Sequence, residues 1–147
     1  MEQRFSMITL GVADLERSVA FYEKVIGWKA LPSPRTIVFF NLSGFVLGLC
    51  PHADLAEDLN AVADDSGDFA YRGFTLSYFV RSKAEVDDIF SRLKDNGAAI
   101  IKKPEQLVWG GYHFYFSDLD SHCWRVLYTP NFTIEEDGRV WVKKKTE

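Results

Sequence analysis

Only two cysteines, Cys50 and Cys123, occur in 147 residues, and they form no C-x-x-C pair. That excludes a disulfide framework and makes a reduced, cytoplasmic protein the default expectation. Histidine is scarce too. His52, His113 and His122 are scattered without the spacing of a metal site, and read as surface or core residues. No apolar run approaches the roughly 20 residues of a membrane span, because polar or charged residues interrupt every one. The opening Met1-Glu2-Gln3-Arg4-Phe5-Ser6 lacks the long apolar segment of a signal peptide. Basic runs are missing apart from Lys143-Lys144-Lys145 in the tail, and the net charge is −4. Neither a nucleic-acid partner nor a membrane partner is expected from such a balance.

What is present is a folding composition rich in rings. Hydrophobic residues make up 47% of the chain, with 12 Phe, 6 Tyr and 4 Trp, which suits a sheet with an aromatic-lined face. Such a length fits one domain, or two small repeated modules. Residues 7–12 alternate as a strand with Ile8, Leu10 and Val12 on one face. Asp14 is placed to cap a helix whose stripe is Leu15, Val19, Tyr22, Val25 and Ile26, and Gly27 ends it. Thr36–Leu42 and Phe45–Leu49 follow as a hairpin turned at Ser43-Gly44.

The same plan then returns. Phe74–Val80 reads as a strand, and Ser82 with Glu85 forms a capping box. Val86, Ile89, Phe90 and Leu93 supply a buried helical stripe closed by Asn96-Gly97. Ala98–Lys102, Tyr112–Ser117 and Cys123–Tyr128 complete the strands. Ile8-Thr9-Leu10 and Phe74-Thr75-Leu76 start 66 residues apart, which points to an internal duplication. Residues 52–72 form an acidic connector, with Leu55, Leu59 and Val62 lining a short helix before Asp64-Asp65-Ser66-Gly67-Asp68. A solvated linker and a lid over a site both fit it. Asp137-Gly138 between Phe132–Glu135 and Arg139–Val142 marks a hairpin.

Two motifs lie in register with this plan. Val12-Ala13-Asp14-Leu15-Glu16-Arg17-Ser18, with Phe21-Tyr22 and Val25-Ile26-Gly27, resembles the V-x-D-L-x-x-S-x-x-F-Y-x-x-x-L-G opening of the vicinal oxygen chelate superfamily. That superfamily includes glyoxalase I, extradiol dioxygenases and bleomycin-resistance proteins. Tyr115-Phe116-Ser117-Asp118-Leu119-Asp120-Ser121, with Trp124, resembles its F-x-D-P-D-G-x-x-W/Y segment, Leu119 and Ser121 standing where Pro and Gly are usual. Trp109-Gly110-Gly111-Tyr112 and the tail Asp137-Gly138-Arg139-Val140 are similar to a glyoxalase-like bacterial branch.

The fold implied is α+β: two tandem βαβββ modules forming a half-open eight-stranded barrel around a concave pocket, with a C-terminal β-hairpin. Residues 1–130 make up the domain, with module one at 5–51, the connector at 52–72 and module two at 73–130. Residues 131–147 are the hairpin and basic tail. The resemblance also implies a homodimer. Metal-dependent members hold a divalent ion on four His, Gln or Glu side chains. Carried onto this chain, those positions fall on Met7, Gly48, Gly73 and Arg125, none of which is such a donor. A member lacking the metal ligands, with no cofactor, is therefore expected.

Arg125 stands out among the remaining candidates. Alternation puts Cys123, Arg125 and Leu127 on the concave side, and Trp124, Val126 and Tyr128 against the helix. An Arg in an aromatic pocket needs an anion: either a ligand carboxylate or phosphate, or a salt bridge within the protein. Thr9, Thr75 and Ser77 point the same way and offer hydroxyls to a ligand or to water. Trp109 and Tyr112 flank two glycines that permit close approach of a stacked ligand or make a tight turn, and Tyr115 is a further candidate. No Ser-His-Asp or Cys-His arrangement supports nucleophilic catalysis. The function expected is metal-independent binding of a small organic ligand, anionic or aromatic. The alternatives are a metal-dependent lyase, isomerase or dioxygenase, and an interaction protein with a vestigial cleft.

Overall fold

Asp14 decides where the first helix begins. The computed structural model describes residues 6–32, 36–58 and 74–143, and strand β1 (Met7–Val12) leads directly to this cap. Asp14 is extended, and its carboxylate accepts from the Arg17 N–H at 3.0 Å, opening α1 (Leu15–Phe21). The helix does not run on to Ile26 in regular form. Tyr22–Ile26 is a π-helical segment, in which the N–H groups of both Gly27 and Trp28 donate to the Tyr22 carbonyl. Widening the last turn brings Trp28 onto the fully buried Tyr22 ring, at 5.9 Å between centroids, with Phe40 5.6 Å from Tyr22. Gly27 closes it at φ 91°, the left-handed conformation glycine takes without strain.

Strands β2 (Leu31–Pro32), β3 (Val38–Leu42) and β4 (Phe45–Pro51) complete the first sheet, followed by α2 (His52–Asp58). The order is β1-β4-β3-β2, with β1 parallel to β4 and the other pairs antiparallel. The core of this unit is Leu10, Val12, Phe21, Tyr22, Phe40, Leu47 and Leu49. Strand β2 had no signal in the sequence, since two residues are too few to show a period.

The second module repeats that topology. Strand β5 (Leu76–Val80) leads to α3 (Lys83–Asp95), then β6 (Ala99–Gln106), β7 (Tyr112–Ser117) and β8 (Cys123–Tyr128). The sheet order is β5-β8-β7-β6, with β5 parallel to β8. Ser82 caps α3 by accepting from the Glu85 N–H at 3.2 Å. Glu85 reaches back to the Arg81 N–H at 2.8 Å, one residue before the reciprocal partner of a standard capping box. Helix α3 covers one face of the sheet, where Phe90 meets Phe114 edge to face and Phe116 stacks on Trp124. The expected fold class is thereby observed as α+β, in two βαβββ modules of the same strand order.

Register corrects the expected repeat spacing. Thr9 pairs with Gly48, and Ser77 with Arg125. The helix caps Asp14 and Ser82 agree, being 82 − 14 = 68 residues apart. Thr9 therefore corresponds to Ser77 rather than Thr75, and Met7 to Thr75 rather than Gly73. Apolar residues at 8, 10, 74 and 76 fit either spacing, so alternation alone could not distinguish a shift of two.

Leu119–Ser121 belongs to one compact unit with the described residues of 6–58, and the other described residues from 74 onward form a second. Asp120 supplies the reason. Its Oδ1 accepts from the Ala13 N–H at 2.8 Å, and its Oδ2 from the Ser18 hydroxyl. Ser121 beside it takes φ 63°, which is why the resembling motif prefers glycine there. Asp118 turns the other way and accepts from the His122 N–H and Nδ1, both at 2.8 Å.

The hairpin β9 (Phe132–Ile134) and β10 (Val140–Val142) pairs antiparallel across Asp137-Gly138, with Gly138 at φ 88°. Phe132 meets Phe79 of β5 edge to face at 4.8 Å. The expected connector beyond Asp58, Gly73 and the tail beyond Lys143 lie outside the described residues. No described helix is long and apolar enough to cross a membrane.

Asp120→Ala leaves the Ala13 N–H and the Ser18 hydroxyl without their acceptor. It should cost about 1–2 kcal/mol of unfolding free energy in urea denaturation, in line with the loss of hydrogen bonds to a charged group.

Candidate functional site

A half-buried guanidinium at the centre of β8 is the chemical anomaly of this chain. Arg125 sits opposite Tyr115 on β7 and beside Ser77 on β5. Alternation turns Phe114, Phe116, Trp124 and Val126 toward α3, and turns His113, Tyr115 and Arg125 to the other face. The guanidinium carbon lies 5.5 Å from the Tyr115 ring centroid and 5.9 Å from that of Trp109. Both distances are in cation–π range.

The hydrogen bond that holds Arg125 is to a histidine. Its Nε donates to His113 Nδ1 at 2.8 Å, and His113 Nε2 is 3.1 Å from Glu105 Oε1. A guanidinium has no acceptor, so Nδ1 must carry the lone pair and Nε2 the proton, which it donates to Glu105. The imidazole is thereby the neutral Nε2–H tautomer. It is only 4% exposed. Burial pushes its pKa below the ordinary value, the Glu105 hydrogen bond pulls it back up, and the Arg125 charge lowers it again. Glu105 is held below the usual carboxylate range by its bonds from Lys102 and His113. Among the described residues no carboxylate pairs directly with Arg125.

Lys102 and Glu105 share this face because β6 is irregular. Three residues apart, they would point to opposite sides of a regular strand. Register shifts on either side of Lys102 set it opposite Tyr115 and set Glu105 opposite His113. Pro104, which lacks the N–H a ladder needs, falls in the second irregular stretch.

The loop after β6 brings up Trp109. Gly110 takes φ 93°, and its N–H donates to the Leu107 carbonyl at 3.0 Å. A Cβ on Gly111 would lie 2.4 Å from Trp109 Cη2 and Cζ3, so the close approach that glycine permits is made by the indole of the same loop.

The candidate residues are thus sorted. Arg125, Ser77, Trp109 and Tyr115 share one neighbourhood, whereas Thr75 is exposed and precedes β5, which starts at Leu76 and not at the expected Phe74. Tyr112 lies on the α3 face instead. Its hydroxyl donates to Asp87 Oδ1 at 2.8 Å, and that carboxylate raises the Tyr112 pKa. Thr9 belongs to the first unit, where its Oγ1 lies 3.4 Å from the Cβ position of Gly48. Sequence reasoning missed His113 and Glu105. Alternation with Tyr115 could have found His113, whereas Glu105 depends on the bulges.

The four family metal positions, with the third moved to Thr75, do not make a donor set. Met7 is 41% exposed and offers a thioether, Gly48 offers nothing, Thr75 a neutral hydroxyl and Arg125 only donors. Among the described residues no three His, Cys, Asp or Glu side chains gather elsewhere. Burial raises the thiol pKa of Cys123, as it does that of Cys50, where Asp54 and Asp58 add to the effect.

Paired βαβββ modules of one strand order, with the site positions on the parallel strand pair, define a known class of α+β protein. Residues 4–126 match the model of the Glyoxalase/Bleomycin resistance protein/Dioxygenase superfamily, and the chain belongs to it. It is 28% identical over 120 residues to a metallothiol transferase FosB from Lysinibacillus sphaericus (strain C3-41), spanning 82% of this chain and 78% of that one. A glyoxalase-related enzyme from Fulvimarina pelagi superposes with a TM-score of 0.85 at 30% identity, covering 97% of this chain and 99% of that one. The fosfomycin resistance protein FosX from Listeria monocytogenes gives a TM-score of 0.68 at 25% identity, covering 88% and 95%.

Two outcomes follow from this geometry. Folded His113 binds its proton more weakly than the unfolded chain, so unfolding takes up protons below about pH 6.5. The stability of its neutral form is complete above that value and is lost as pH falls through the lowered folded pKa. Thermal unfolding from about pH 7 to 5 should show a falling Tm, with a shallower fall in His113→Asn. Gly111→Ala should displace the Trp109 ring, read as a change in tryptophan fluorescence, and should cost no more than about 1 kcal/mol in urea denaturation, because a 45% exposed side chain can swing aside.

Proposed function

We propose that this protein is a metal-independent member of the superfamily that binds a small organic ligand, anionic or aromatic, on the Arg125 face of its second module. The observation that carries the reading is the guanidinium itself. It is half-buried, placed near two aromatic rings, and held by a neutral imidazole rather than by a carboxylate. A charge partly withdrawn from water, with no counter-charge paired to it among the described residues, favours an arriving anion, and flat rings beside it favour an aromatic body. Ser77, adjacent in register, and Thr75 add hydroxyls that orient a polar group.

The name of the relative FosB, a metallothiol transferase, favours a second reading, a metal-dependent enzyme of the same superfamily. That chemistry needs anionic or imidazole donors, which Met7, Gly48, Thr75 and Arg125 do not offer. Elemental analysis of the untagged protein should find no stoichiometric metal, and Ni²⁺, Zn²⁺, Mn²⁺ and Fe²⁺ should leave its Tm unchanged. Small aromatic anions should raise Tm by a few degrees at about 100-fold excess over Kd, and should fail to do so with Arg125→Ala. Bound metal, or a Tm raised by one ion and reversed by chelator, carries the second reading instead. A protein that responds to neither metal nor anion is an interaction protein with a vestigial cleft.

A further inference from the structure

We infer that His113 is a positioning residue that sets Arg125 to receive a planar, singly charged carboxylate end-on through its two Nη groups. This rests on Arg125 as the anion anchor, and it adds the ligand class and the residue that imposes it.

The argument starts from which donors remain. Arg125 has five N–H groups, and the one on Nε is committed to His113 Nδ1 at 2.8 Å. The side-on approach, which uses Nε together with one Nη, is therefore closed. What remains is the end-on pair of Nη donors, whose parallel geometry matches the two oxygens of a carboxylate. Because His113 is itself fixed by Glu105 at 3.1 Å and is 4% exposed, it holds the guanidinium plane rather than following it. The ring centroids of Tyr115 and Trp109 lie 5.5 and 5.9 Å from the guanidinium carbon.

Charge sets the valence. Among the described residues the groups around His113 are Lys102 and Glu105 on β6, Tyr115 on β7 and Arg125 on β8. Lys102 and Glu105 pair with each other, the imidazole is neutral, and among these groups Arg125 leaves one positive charge. A monoanion balances it. A dianion keeps a charge uncompensated in a half-buried site, with the Glu105 carboxylate one imidazole away, which is unfavourable. The same donor count separates the site from one built for a phosphonate dianion, which uses several cations or a metal.

Calorimetric titration with benzoate and phenylphosphonate at about pH 8, where a phosphonate is a dianion and His113 is neutral, tests this. Benzoate should bind the wild type at least about tenfold more tightly than phenylphosphonate, and should be lost with Arg125→Ala. His113→Phe, which leaves Nε without its acceptor, should weaken benzoate at least about tenfold. His113→Asn places an amide oxygen near the position of Nδ1 and should restore binding to within about threefold, a rescue that a purely structural role does not give. Phenylphosphonate binding as tightly as benzoate overturns the inference, and so does wild-type affinity in His113→Phe. Either result leaves the anchor standing if Arg125→Ala still abolishes binding. Should His113→Phe not fold, loss of benzoate by folded His113→Asn overturns it equally. If no anion binds, or binding ignores Arg125, the anchor falls and the inference falls with it.

Discussion

Each module closes by laying its first strand beside its last in parallel, and that one constraint organises the molecule. A parallel pair cannot be joined by a tight turn, so the chain must cross over through a helix and return by way of two further strands. The pairs β1·β4 and β5·β8 therefore sit together in each sheet, with α1 or α3 as the crossover. Where each helix starts is set by a side-chain cap, Asp14 in one module and Ser82 in the other. The positions of chemical interest lie on those parallel pairs, as Thr9 against Gly48 and Ser77 against Arg125.

The duplicated frame carries different chemistry in its two copies. On β4 the position is Gly48, where an added Cβ would lie 3.3 Å from Ile37 Cδ1 and 3.4 Å from Thr9 Oγ1. On β8 the equivalent position holds a guanidinium, and three neighbouring strands supply its surroundings: Ser77, the pair His113 and Tyr115, and the bulged Lys102 and Glu105. A metal site at such positions needs groups that give electron pairs, and a guanidinium only gives protons. Arg125 at that position is a cation in its own right. The match to the superfamily gives the family, while the side chains present decide what this copy can hold.

Much of the fold was legible in the residues. The two cap motifs, the stripes at helical spacing and the alternating runs located β1, α1, α3, β7 and β8, and Asp137-Gly138 located the last hairpin. Each is a local signal, carried by residues within one turn or one strand. Strand β2 and the π-helical end of α1 escaped notice, the first for its shortness and the second because it answers to Trp28 stacking on Tyr22. Arg125 was legible by alternation from Trp124 and Val126. Alternation with Tyr115 could place His113 on the same face, but that it bonds Arg125, twelve positions away, is identified only by register.

Sequence alone determined the element types and the doubled plan, because propensity, capping and periodicity belong to individual side chains and their order. Tertiary structure decided the rest. It set the repeat at 68 rather than 66, because pairing between strands, and not periodicity within one, fixes register. It turned Tyr112 toward Asp87, and it placed Trp109 over Gly111. Above all it made Glu105, His113 and Arg125 a single chain of hydrogen bonds. That required two irregularities in β6, and a bulge is a property of two strands together, which neither strand states by itself.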